Sequence, residues 1–146
     1  MSKKSQWLLV GFAIFSLIGF LDASYLTIQH YNNGILPCLI FSGCDKVTSS
    51  SYAKVAGMPV SLLGVGYYLA ILIITILYFD AGNKRVFSLL KTLPIAGFVA
   101  TLWFLFLQFF VIKAICFYCI ISAITSTALF VLAMWIGKDM AKQEVK

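Results

Sequence analysis

Apolar residues along this chain fall into four long runs with few interruptions. The runs cover about residues 7–29, 60–79, 92–112 and 115–136. Each is long enough to cross the roughly 30 Å hydrocarbon core of a bilayer, which takes about 20 helical residues. Backbone polar groups in lipid must be paired within the protein, so the runs predict helices and no strand. We therefore expect an all-α membrane protein, a four-transmembrane-helix bundle formed by one domain, residues 1–146.

Composition agrees with a membrane protein, because 62% of the residues are hydrophobic and 11% are charged. An ordinary soluble domain is excluded by that balance. The net charge of +6 does not indicate a nucleic-acid partner, since the basic residues lie at helix ends and not in a patch with exposed aromatics.

Lys3 and Lys4 precede the first run as in a secretion signal, but no convincing cleavage site follows, so we expect a retained helix.

The distribution of basic residues predicts the orientation. Eight of them fall on one side of the predicted membrane and three on the other, which places both termini in the cytoplasm. The larger group is Lys3, Lys4, Lys84, Arg85, Lys91, Lys138, Lys142 and Lys146, and the smaller is Lys46, Lys54 and Lys113. All four cysteines then lie at the outer face, where disulfides persist.

The first outer loop is longer than a connection between two helices requires. Polar and apolar residues alternate at roughly helical spacing from Asp45 to Ala56, and Gly57 and Pro59 follow. We predict a short amphipathic helix that lies on the outer bilayer surface and holds the cysteine-bearing part of the loop over the bundle.

Cys116 and Cys119 form a CxxC at the start of the fourth run. Residues three apart share one helical face, and the peptide N–H groups of the first turn favour a thiolate. Lys113 would act in the same direction, so a lowered thiol pKa is expected. A CxxC at a helix N-terminus is the usual form of a redox dithiol.

Cys38 and Cys44 make a second pair in the first outer loop, separated by five residues that include Gly43. Thiol–disulfide exchange requires direct attack of a thiolate on a disulfide sulfur, so a mobile pair meeting a fixed pair forms a relay. Two other interpretations are structural disulfides and a four-thiolate zinc site. A disulfide between residues three apart adds little stability, and the second CxxC usual for zinc is missing, so we expect redox chemistry and no metal.

The electron acceptor must be reachable from a membrane. No GxGxxG follows a strand, so nicotinamide and flavin sites are not indicated. A DsbA-type oxidant has a reduction potential of about −120 mV, so its reoxidation needs an electron acceptor with a higher reduction potential. A membrane-dissolved quinone meets both requirements.

An ordered set of motifs resembles the vitamin K epoxide reductase family, in particular its short bacterial members without a fused thioredoxin-like domain. The set covers nearly the whole chain and comprises Ser24-Tyr25-Leu26-Thr27, Cys38, Cys44, Ser50, Gly57-Met58-Pro59-Val60-Ser61-Leu62-Leu63-Gly64 and the CxxC. The resemblance implies a four-helix bundle around a quinone, ubiquinone or menaquinone. It also implies a bacterial cytoplasmic membrane location.

Residue roles follow from the same resemblance. It implies that Cys119 lies next to the quinone, that Cys116 exchanges with the loop pair, and that Cys38 and Cys44 take electrons from a DsbA-like thioredoxin-fold partner in trans. Ser50 would hold or polarise groups near the active site, or serve only as a helix N-cap or a solvated hydroxyl.

Two positions depart from the vertebrate members of that family. Those members bind the vitamin K ring through an asparagine and a tyrosine, where this chain has Val60 and Ala123. Neither side chain can donate a hydrogen bond, which favours reduction of a plain quinone over reduction of the epoxide.

Two polar residues lie within the predicted spans. Asp22 is expected to face the bundle interior or a hydrated cavity, either as a proton relay or as a neutral, hydrogen-bonded carboxyl. Gln108 is expected to face inward, as a contact between helices or with the quinone.

The sequence thus predicts a membrane enzyme that makes disulfides in a thioredoxin-fold partner and passes the electrons to a quinone. The alternatives are a vitamin K epoxide reductase and a non-enzymatic metal-binding or structural membrane protein.

Overall fold

A computed structural model describes residues 3–35, 37 and 43–146. Four helices within these residues are long and apolar enough to cross a membrane: Lys3–Tyr31, Val60–Ala81, Lys84–Ile112 and Phe117–Glu144. We call them α1, α3, α4 and α5, and α2 is the short helix Cys44–Thr48 in the loop between α1 and α3. We keep the name outer loop for this loop, after the orientation that the sequence predicts. The last turns of α4, Leu107–Ile112, are wound as a π-helix.

Helix ends differ from the limits of the apolar runs. Helix α4 begins eight residues before the predicted Thr92, because the side chain of Asn83 accepts a hydrogen bond from the Arg85 N–H and caps its N-terminus. Helix α3 ends at Ala81, and the following Gly82, with a positive φ of 58°, caps its C-terminus. Polar residues therefore extend the helices beyond the hydrophobic segments that the sequence marks.

The outer loop holds a short helix, as predicted, but α2 (Cys44–Thr48) covers only residues 45–48 of the predicted stretch from Asp45 to Ala56. A 3-10 turn at Ser51–Ala53 follows. Strands Lys54–Val55 and Met58–Pro59 then pair antiparallel, so the expectation of no strand is wrong. The reason is local: Ala56 and Gly57 both have positive φ, which closes a tight hairpin.

Helix α1 packs against α3 and α5, and α4 packs against both as well. The main core lies among α1, α3 and α5, with Phe12, Ile71 and Leu129 fully buried. Gly19 of α1 lets the Tyr68 ring of α3 lie directly on the helix backbone, where a Cβ would collide with the ring. This close approach brings α1 and α3 together below the outer end of the bundle.

Candidate functional site

A cavity of about 390 Å³ lies between the helices and extends to the outer loop. Its walls are mainly apolar, and all four long helices and the loop contribute to them. Representative lining residues are Leu26 of α1, Val47 of α2, Leu63 of α3, Phe104 of α4 and Cys119 of α5. A cavity of this size and character is typical of a site for a small organic molecule.

The two cysteines of the CxxC face different surroundings. Cys119 lines the cavity. Cys116 is the N-cap residue of α5, is 0% exposed, and packs with Leu26, Cys44 and Val47 in a buried cluster at the outer end of the bundle. We call these four residues the outer cluster.

Both CxxC thiols are free, whereas Cys44 is disulfide-bonded. Cys38 lies outside the described residues.

The environment of Cys116 favours its thiolate. A hydrogen bond from the Cys119 thiol lowers the pKa of Cys116, and the peptide N–H groups of Cys119 and Tyr118 lower it further. Burial and the Asp22 carboxylate oppose this shift in the Cys116 pKa. The lowered pKa expected for the CxxC is thus present at Cys116, with the first-turn N–H groups among its causes, while Lys113 is not among them.

The outer loop is attached to the start of α5 on both flanks of residues 38–42. The Tyr118 hydroxyl donates a hydrogen bond of 3.3 Å to the Pro37 carbonyl oxygen. On the other flank, Gly43 lies against the backbone of Ile115, where a Cβ would be 2.7 Å from the carbonyl oxygen. These contacts hold the loop over the CxxC and bring Cys44 into the outer cluster.

Gln108 fixes the segment that leads to the CxxC. It is 4% exposed, and its side-chain oxygen accepts a 3.3 Å hydrogen bond from the Cys116 N–H. Its main-chain carbonyl accepts from the N–H of Lys113 and, at 3.2 Å, from that of Ala114. Gln108 therefore faces inward, in a π-helical turn of the kind often found at functional sites.

The five residues that the sequence places near the quinone all line the cavity that Cys119 lines. They are Asp22, Ser50, Val60, Gln108 and Ala123. The Ser50 hydroxyl donates a 2.8 Å hydrogen bond to the Val47 carbonyl oxygen, which ties the loop serine to the helix that carries Cys44.

Sequence reasoning missed two further polar residues of this cavity, Tyr67 and Ser126. Their hydroxyls interact with each other, but these two oxygens, like Oδ2 of Asp22, are buried without a hydrogen bond of good geometry in the part of the chain that the structure describes. The neighbouring Tyr68 is bonded instead, to the Ser122 and Thr125 hydroxyls at 3.0 Å each. Helical spacing was the available signal, since Ser126 lies seven residues after Cys119, on the same face.

Within residues 3–35, 37 and 43–146, no three His, Cys, Asp or Glu side chains are grouped as metal ligands would be.

The model of the vitamin K epoxide reductase family matches residues 10–134 of the chain. Members of that family are membrane oxidoreductases that use quinone. A search of curated proteins finds no match.

Proposed function

Because the chain belongs to the vitamin K epoxide reductase family, we propose that it oxidises a DsbA-like thioredoxin-fold protein and passes the two electrons to a membrane quinone, ubiquinone or menaquinone. One observation carries the proposal. Cys119 lines the cavity, while Cys116 lies in the outer cluster with Cys44. The two thiols of one CxxC therefore have separate neighbours, a disulfide on one side and a substrate cavity on the other.

The first half of the reaction is thiol–disulfide exchange. The dithiol of the partner reduces the Cys38–Cys44 disulfide, and the resulting loop thiols reduce a disulfide between Cys116 and Cys119. Each exchange forms one S–S bond and breaks another, so the sulfur atoms must touch. Burial of Cys44 and Cys116 in one cluster supports this contact.

The second half is quinone reduction at Cys119. The cavity walls are mostly apolar, as a quinone ring requires. A second, apolar groove, which includes Phe15, Phe109 and Ile124, shares Leu105 and Ala123 with the main cavity. This groove offers an isoprenoid tail a path toward the bilayer. Cys116 and Cys119 then become a disulfide as the electron pair passes to the substrate.

Side-chain chemistry favours a plain quinone over the epoxide. Val60 and Ala123 line the cavity without a side-chain hydrogen-bond donor.

The excess of basic residues on the side of the membrane that holds the termini supports a cytoplasmic location for both ends and an outer location for the cysteines. The thioredoxin-fold partner would then dock from the extracytoplasmic side.

The test is anaerobic quinone reduction by purified protein supplied with a reduced thioredoxin-fold partner. Wild type should form one quinol per partner disulfide, and Cys119→Ala and Cys38→Ala should each abolish turnover. Ser16→Ala is a control, because Ser16 is buried in α1 and its hydroxyl bonds to the Ala13 carbonyl of its own helix.

Three outcomes would contradict the proposal. Full turnover by Cys119→Ala would rule out this route to the quinone. Reduction of vitamin K epoxide by the wild type at a rate comparable to the quinone would assign the chain to epoxide reduction. One equivalent of tightly bound zinc without quinone reduction would assign it to metal binding.

A further inference from the structure

Asp22 is the one carboxylic acid among the described residues that line the cavity. It is 9% exposed, and its Oδ2 has no hydrogen-bond partner among the described residues. An unpaired carboxylate is costly to bury in an apolar site, so this environment favours the neutral, protonated acid. The proton of a neutral Asp22 would lie at the same cavity that Cys119 lines.

Charge coupling links Asp22 to the reactive sulfurs. A charged Asp22 disfavours a thiolate at Cys116, so the reduced pair is most stable with a thiolate at Cys116 and a proton on Asp22. When the negative charge leaves sulfur for a quinone oxygen, a proton at Asp22 is available to neutralise it.

We infer that Asp22 is the acid that donates one of the two protons consumed in quinone reduction. The inference rests on the proposed function. The Cys116 thiolate attacks the Cys119 sulfur and the S–S bond forms as the S–H bond of Cys119 breaks. The electron pair and the Cys119 proton pass to the quinone, and Asp22 supplies the second proton, leaving quinol and an Asp22 carboxylate.

Charge balances over the cycle. One thiolate is consumed and one carboxylate is left. Re-reduction of the CxxC by an incoming dithiol regenerates one thiol and one thiolate, which releases one proton. That proton restores Asp22, so each turnover moves two electrons and two protons from dithiol to quinone.

Tyr67 and Ser126 suit a different task at the same cavity. Their hydroxyls interact with each other without a hydrogen bond of good geometry, and an aliphatic or phenolic hydroxyl is a much weaker acid than a carboxyl. They can donate hydrogen bonds to a quinone oxygen while Asp22 delivers the proton.

Besides Asp22, the titratable groups that line the cavity within the described residues are His30 of α1, Tyr52 of the loop, Tyr67 and Tyr68 of α3, and Cys119 of α5.

The test compares wild type with Asp22→Asn and Asp22→Glu, with Ser16→Ala as the control on the same helix. Asp22→Asn should slow quinol formation in a single turnover of the pre-reduced protein by on the order of 10²-fold or more, the usual contribution of a general acid. Asp22→Glu keeps the acid and should recover most of the rate. Exchange between the partner and the loop pair should be unchanged.

A second readout needs no quinone. The infrared spectrum of the reduced wild type should contain the carbonyl stretch of a protonated, buried carboxylic acid, and this band should be absent from Asp22→Asn. A folded Asp22→Asn variant is verified by its thermal unfolding midpoint.

Quinol formation by Asp22→Asn at the wild-type rate would overturn the inference, as would a spectrum with Asp22 ionised in the reduced protein. An increase in the quinone KM with an unchanged kcat would overturn it too, because Asp22 would then only bind the substrate. Failure of the wild type itself to reduce quinone would refute the proposed function instead, so the two failures are distinguishable.

Discussion

Gly43 lies directly on the backbone of Ile115, so closely that a Cβ at residue 43 would be 2.7 Å from the Ile115 carbonyl oxygen and 2.9 Å from its amide nitrogen. Both neighbouring atoms belong to the main chain and cannot rotate away. This contact joins the residue before Cys44 to the residue before Cys116. The approach of Cys44 to Cys116 thus depends on the absence of one methyl group.

Gly43→Ala should therefore slow exchange between the pairs. The added methyl group forces the loop away from α5, so re-reduction of the CxxC by the partner should fall at least about tenfold, since small misplacements of reacting groups have large kinetic costs. Rapid-quench trapping of the redox states measures this step. A pre-reduced Gly43→Ala sample should still reduce quinone at the wild-type rate in one turnover.

Gly66→Ala is the matched control for that substitution. A Cβ at Gly66, inside α3, would meet nothing within 4 Å, and alanine favours the helix. Its exchange rate should equal that of the wild type. Equal rates for Gly43→Ala and Gly66→Ala would mean that the contact with Ile115 does not control exchange.

Gln108→Met should loosen the start of the CxxC. The substitution leaves the buried Cys116 N–H without the acceptor that it now has at 3.3 Å, a loss of about 1–3 kcal/mol in the free energy of unfolding. The unfolding midpoint should drop, and a small uncharged alkylating reagent should modify Cys116 faster. Thr75→Val serves as the control, because Thr75 is buried in α3 and bonds only within its own helix as far as the described contacts go. Unchanged alkylation of Cys116 in Gln108→Met would show that Gln108 does not fix this segment.

The titration of Cys116 should depend on Cys119. The hydrogen bond from the Cys119 thiol is the largest cause of the lowered Cys116 pKa, so in the wild type the thiolate persists to lower pH than an ordinary thiolate does. Cys119→Ala removes the donor and should move the titration to higher pH, whereas Cys119→Ser keeps a hydroxyl donor and should move it less.

Ultraviolet absorbance of the thiolate follows this titration, with a Cys116→Ser sample subtracted to remove the tyrosine contribution. Superimposable curves for the wild type and Cys119→Ala would contradict the assigned cause.

A membrane-impermeant maleimide tests the orientation in intact cells or oriented vesicles. After reduction, Cys38 or Cys44 should be labelled from the extracytoplasmic side only. Asn83→Cys, in the exposed turn between α3 and α4, should be labelled only from the cytoplasmic side. The reverse pattern would invert the proposed topology.

Hydropathy sufficed to predict the four spanning helices, because their length and apolar character are local properties of the sequence. The helix limits were less predictable, since caps such as Asn83 extend helices past the apolar run. The outer loop was predicted only in part. Its hairpin depends on positive φ at Ala56 and Gly57. Alanine rarely adopts a positive φ, so its presence in the sequence does not predict this turn.

The candidate site was predictable where polar residues stand out against an apolar background, as Asp22 and Gln108 do. Tyr67 and Ser126 are inconspicuous in a chain rich in such residues, although helical spacing places Ser126 on the Cys119 face. The importance of Gly43 could not be predicted, because its contact with Ile115 joins segments more than 70 residues apart in the sequence.

Cys116 is completely buried, and this burial limits which thiols can react with it. Under the proposed function, a small thiol in solution cannot attack the Cys116 sulfur, because solvent does not reach it. Electrons would reach Cys116 from the cysteine pair of the loop. Burial of Cys116 would then direct the oxidation to the thiols of a partner protein that contacts the loop, in place of small thiols in solution.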